Sequence, residues 1–131
     1  MLKEITAFVD DGIATLTEGT NLFAGHFEPD TPDSIVVVET LVPGIADPLL
    51  ADKWAVPIRV MARSASFFSA RGSAQAVFDL LHGEHQISLP VVASGPTYLC
   101  NVTGTTPAYI GKDEKGRHMF VSNYVFLSQQ V

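Results

Sequence analysis

The stretch Gly111-Lys112-Asp113-Glu114-Lys115-Gly116-Arg117-His118 encloses a charged run between two glycines, a spacing that could cradle a phosphate. A nucleotide-phosphate loop needs Gly-Lys-Ser/Thr at its end, so that the lysine meets the phosphates and the hydroxyl meets magnesium. It also needs a helix directly downstream, whose N-terminal amides point at the anion. Here Gly116 is followed by Arg117 and His118, and the residues beyond alternate as a strand. Asp113 and Glu114 would stand where phosphate oxygens must go and would repel them. The stretch therefore reads as the tip of a hairpin, with Gly116 supplying the positive φ that such turns need. Lys112, Lys115 and Arg117 gather there, which makes the tip a charge-rich arm suited to contact with a partner.

The other reactive residue types form no catalytic or metal-binding pattern. His82 and His85 straddle Gly83 and cannot share a helical face, while His26 and His118 stand apart. No His-Glu-x-x-His run and no histidine–carboxylate cluster at metal spacing occurs, so neither a metal nor a cofactor is expected. There is no Gly-x-Ser-x-Gly elbow, and Cys100 lies in a strand-like run. As the single cysteine it excludes an internal disulfide and fits a reducing compartment. One enzymatic lead remains. Gly25-His26-Phe27-Glu28-Pro29-Asp30-Thr31-Pro32, followed by Glu39, resembles the Gly-His-Phe-Pro stretch of hydroxyacyl-thioester dehydratases of the hot-dog fold. In that family a histidine and a downstream acid act on the β-hydroxyacyl group. The acid sits on a long central helix there, whereas Glu39 follows the strand-forming run Ile35 to Val38, and Glu28 stands where the family has proline.

The elements that must position these residues can be read from periodicity. Leu2, Ile5, Phe8, Val9, Ile13 and Leu16 recur at helical steps, which predicts an amphipathic helix over 2–17, stopped near Gly19. Residues 21–27 and 34–41 read as strands, the second dense in β-branched residues. Between them lie two prolines and two aspartates, a turn-rich loop. Residues 42–52 form a long, partly apolar loop, expected to order when neighbours pack on it. Residues 55–63 alternate as a strand, with Val56, Ile58, Val60 and Ala62 on one face and Arg59 and Arg63 on the other. Ser66 then opens, and Gly83 closes, a helix over about 66–82 with Phe67, Ala70, Ala74, Val77, Phe78 and Leu81 at core spacing. A short strand near 85–92, a strand over 97–111 interrupted near Gly104 and Pro107, and a strong strand over 117–127 complete the chain. The order α-β-β-β-α-β-β-β predicts an α+β fold with an antiparallel-rich sheet. The 131 residues suit one domain spanning 1–131.

Composition points towards partners. Charged residues are 17% of the chain, below the usual quarter or so, and hydrophobic residues are 47%. So lean a surface suits a protein covered in part by other chains. The charges are also unevenly placed. Residues 1–52 carry ten acids against Lys3 alone, whereas residues 53–131 carry seven bases against four acids. Complementary faces of that kind set orientation in head-to-tail contacts, which close into rings when the rotation allows. A net charge of −6 makes a poor nucleic-acid binder. No basic start followed by an apolar stretch marks a secretory signal, and no apolar run approaches the ~18 residues of a membrane span, so a soluble chain is expected.

One family fits the whole succession. An N-terminal helix leading into GTNLFAGHFEPDTPDSIVVVE, an arginine-flanked strand, a helix ending AVFDLLHG and then PAYIGKDEKGRHMFVSNYVF resemble the small tail-terminator and minor-capsid proteins of long-tailed bacteriophages. The stretch Ser66 to Ser69 departs from the pattern, which has more polar, helix-favouring residues there. The resemblance implies a mixed, mostly antiparallel sheet with two helices on one side. It implies structural work at the tail–head junction of a virion assembled in the host cytoplasm, with no catalytic residue to carry over. Such proteins form a ring, usually of six copies, that ends tail-tube polymerisation and offers a surface to head-completion proteins. A different neck or head–tail connector component is the neighbouring alternative. In such a ring Arg59, Arg63, Lys112, Lys115 and Arg117, with Asp113 and Glu114 beside them, are expected to face a neighbour's acids such as Asp30, Asp33 and Glu39.

Overall fold

The computed structural model describes residues 2–25, 33–40, 45–46, 53–83, 87–89 and 98–130. Two long strands form the spine of one sheet: β4 (Lys53–Ser64) and β8 (His118–Gln130) run antiparallel, in register from Lys53↔Gln129 to Ser64↔His118. Each is preceded by a partner broken in two. β2 (Ile35–Glu39) pairs with Arg59–Arg63 of β4, and β3 (Ile45–Ala46) continues along the same edge opposite Trp54 and Ala55. Likewise β6 (Tyr98–Gly104) and β7 (Ala108–Lys112) follow one another along the outer edge of β8. The break predicted near Gly104 and Pro107 is the step between them. β1 (Leu22–Ala24), parallel to β2, and β5 (Ile87–Leu89), antiparallel to β6, complete the order β1-β2-β4-β8-β6-β5. The fold is α+β, with a mixed, mostly antiparallel sheet, as the sequence predicts.

Both helices cover the face on which alternation places the apolar residues. Helix α2 (Phe67–Leu81) is capped by Ser66, whose Oγ accepts from the Ser69 amide at 3.4 Å, and Gly83 follows it at φ +79°. Its Ala70, Ala74, Val77 and Leu81 are fully buried and join Val56, Ile58, Val60 and Ala62 of β4 with Phe120, Tyr124 and Phe126 of β8. Removing a side chain the size of Val77 from water contributes roughly 1.5–3 kcal/mol. Helix α1 (Leu2–Gly12) adds Ile5 and Val9 to the same cluster, and its buried Thr6 hydroxyl donates to the Leu2 carbonyl at 2.8 Å.

α1 is shorter than its apolar spacing predicts, ending at Gly12 instead of running to residue 17. One physical reason is visible. The Asn21 side chain offers the following backbone non-helical partners, accepting from the Thr17 amide at 2.6 Å and donating to the Thr15 carbonyl at 2.8 Å. At this end α1 lies close to α2: a Cβ added at residue 12 would stand 2.8 Å from the methyl groups of Leu80. Of the 42–52 loop only Ile45–Ala46 is described, so its predicted ordering by neighbours lies outside the described residues.

Candidate interaction surface

Residues 111–118 are the β7–β8 hairpin tip, and the chain closes that tip upon itself. Asp113 Oδ1 accepts from the amides of Lys115 at 3.0 Å and Arg117 at 2.9 Å, while Oδ2 accepts from Arg117 Nε at 2.7 Å. Gly116 takes φ +75°, the left-handed turn its sequence position predicts. A carboxylate thus occupies the amides that an anion would need. Burial pushes the Asp113 carboxyl up, but the Arg117 amide and guanidinium and the Lys115 amide outweigh it and hold the pKa below the usual value.

The bases expected to face a neighbour divide into two sets. Arg117 is only 7% exposed; besides Asp113 it reaches Asp33 Oδ1 at 3.5 Å, joining the hairpin to the start of β2. Arg63 is 5% exposed, and burial, then the neighbouring Arg117 charge, lower its pKa, with Asp113 and Asp33 acting against them. Arg59 Nε donates to Glu39 Oε1 at 2.7 Å across the β2–β4 register pair. So Arg59 and Arg117, with their acids Glu39, Asp33 and Asp113, are matched within the protomer. Lys112, Glu114 and Lys115 are exposed and project from the pinned arm. Asp30 lies outside the described residues.

The pairing that a thioester dehydratase would need is not supported by this placement. Glu39 sits on strand β2 against Arg59, not on a helix, and His26 lies outside the described residues. Cys100 is buried beside Ser128 Oγ at 3.3 Å, and burial pushes its thiol pKa up, away from nucleophilic character. His82 stacks on Phe78 with ring centroids 4.8 Å apart and accepts from the Gly104 amide at 3.3 Å. Among the described residues no cluster of histidine, cysteine and acids could hold a metal ion, and no described helix is long and apolar enough to cross a membrane.

What the structure adds is an aromatic platform at the base of the arm. Phe67 lies within 5.1–5.6 Å, centroid to centroid, of Phe68, Tyr109, His118 and Phe120, and Tyr109 Oη meets His118 Nδ1 at 3.0 Å. Phe68 is 75% exposed, Ile110 47% and Tyr109 44%. Helical spacing counts Phe67 with the core, yet at the first turn of α2 it meets β7 and remains at the surface. The Phe67-Phe68 pair directly after a capping serine was the available signal. A second exposed apolar area lies on the sheet face opposite α1 and α2, where Leu127, Val125 and Leu99 point away from the core.

A surface so well supplied with exposed apolar side chains, with reactive groups buried or matched, is one built for contact. The family model described as bacteriophage tail terminator protein matches residues 10–129. This chain belongs to that family. A chain from the virion of a native gene transfer agent particle shares the fold. The two superpose with a TM-score of 0.53 at 19% identity, over 86% of this chain and 79% of that one. No curated protein matches the sequence. The protein is thus a structural component of a phage tail and of the virion, from a family of virion proteins and not of enzymes.

Proposed function

We propose that this terminator forms a ring, hexameric in the finished particle, that caps the tail tube, ends its polymerisation and presents a docking surface for head-completion proteins. Its partners on this reading are copies of itself, the major tail-tube protein and a connector protein at the tail–head junction. The observation that carries the reading is the coexistence of a well-packed core with two separate exposed apolar areas, the Phe67–Phe68–Tyr109–Ile110 platform and the Leu99–Val125–Leu127 face. A lone small domain gains nothing from either; a protomer that meets both copies and a tube can cover both. The charged arm beside the first area supplies orientation more than affinity.

The test is polymerisation of purified tail-tube protein with and without this chain. Capping predicts shorter tubes whose lengths fall as the terminator is added, with extra density at one end in electron micrographs. Tubes of unchanged length and bare ends would remove the proposal.

A further inference from the structure

The arm and platform carry a net positive, aromatic surface. Lys112 and Lys115 project from the tip, and exposed Arg71 stands one helical turn after Phe67 and Phe68 on α2. The complementary surface lies towards the other end of the same helix. α1 ends in Asp10 and Asp11 with no base in its last turn, so both acids stand against the negative end of their own helix dipole. Glu18 joins them, its amide donating to Asp10 Oδ2 at 3.3 Å. Gly12 at this corner meets the side chain of Leu80, whereas the platform begins at Phe67; at ~1.5 Å per residue these points are roughly 20 Å apart along α2.

We infer that the aromatic, lysine-bearing platform of one copy docks on the Asp10–Asp11–Glu18 corner of the next. The occupant is a second copy because each surface offers what the other lacks. The platform has exposed rings and cations, and the corner has acids placed where a foreign cation relieves their conflict with the α1 dipole. Self-contact of like surfaces would set lysine on lysine, so the contact is head-to-tail, the kind that builds rings. The inference rests on the capping proposal for its setting and identifies which surfaces meet between copies.

The test mixes protein of natural isotope content with nitrogen-15-labelled protein and treats the mixture with a carbodiimide, which joins touching amines and carboxylates as amides with loss of water. Mass spectrometry is expected to find mixed-isotope peptides linking Lys112 or Lys115 to Asp10, Asp11 or Glu18. In sedimentation, Lys112→Glu with Lys115→Glu, and separately Asp11→Lys with Glu18→Lys, are each expected to weaken self-association at least tenfold. An equimolar mixture of the two variants restores it, because each then meets its complement. Cross-links only within one isotope form, no restoration on mixing, or a wild-type protein that stays monomeric and unlinked at every concentration overturns the inference. Capped tubes without this link would sink the inference and leave the capping proposal standing. Tubes indifferent to a protein that does form the link would sink the capping proposal alone.

Discussion

Replacing Gly104 with alanine tests whether β6 leaves β8 where the structure says it does. Gly104 is the last residue of β6 and faces Tyr124 in the β6–β8 register. A Cβ there would lie 2.5 Å from both Cδ1 and Cε1 of the Tyr124 ring, a separation real side chains do not tolerate. The ring has little freedom to yield, since Tyr124 is 1% exposed and its Oη accepts from Ser122 Oγ at 3.0 Å. Forcing an extra carbon into a packed core typically costs ~1–3 kcal/mol, so Gly104→Ala should lose about 2 kcal/mol. For a chain of 131 residues each kcal/mol moves Tm by roughly 3–5 °C, which gives a fall of about 6–10 °C. Gly72→Ala is the matched control. Gly72 lies within α2 with open space around it, so alanine should raise stability by ~0.5–1 kcal/mol through helix propensity and a less flexible unfolded chain. Urea unfolding followed by circular dichroism reads both, with m unchanged. A Gly104→Ala protein as stable as the wild type would refute the packing of that strand junction.

Burial raises the Tyr124 pKa to about 12, the Ser122 hydrogen bond working against it, so folding favours the neutral phenol. The unfolded chain loses that proton first, near pH 10, so stability should fall by on the order of 2–3 kcal/mol between pH 10 and 12. Absorbance titration should show one of the three tyrosines ionising late, and the late step should vanish in Tyr124→Phe. Asp113→Ala removes the acceptor of three hydrogen bonds, and the expected loss is about 1–2 kcal/mol, with faster hydrogen exchange at the Lys115 and Arg117 amides. Because the Asp113 pKa is depressed, its contribution is complete above the ordinary carboxylate range and fades as acid protonates it, so low pH should loosen the same tip in the wild type. Glu39→Gln weakens the pair with partly exposed Arg59 and should cost ~1 kcal/mol. Dehydration of a hydroxyacyl thioester should be absent before and after that change, as followed by the ultraviolet absorbance of the enoyl thioester that loss of water would form.

Much of the architecture is legible in the chain because its signals are local. Val56 to Ala62 alternate along β4, and Ser66 and Gly83 bracket the apolar spacing of α2. The end of α1 is not legible, since Ile13 and Leu16 continue the helical spacing while the competing partner, the Asn21 side chain, comes from further along. The contact surface is legible only in outline. A sum over charges treats Arg59 and Arg117 like Lys112 and Lys115. It takes strand register to bring Glu39 beside Arg59, and a long-range closure to bring Asp33 to Arg117. The platform is masked because Phe67 obeys the spacing of a core residue; the adjacent Phe68 is its one local signal, and the contact with β7 places it at the rim.

Deleting the gene from the phage that encodes this chain, and imaging the resulting particles, addresses the role of terminator most directly. Loss of a cap predicts overlong, headless tails alongside filled, tailless heads, with normal particles restored when the protein is supplied in trans. Tails of wild-type length joined to heads in its absence would contradict the role proposed for it.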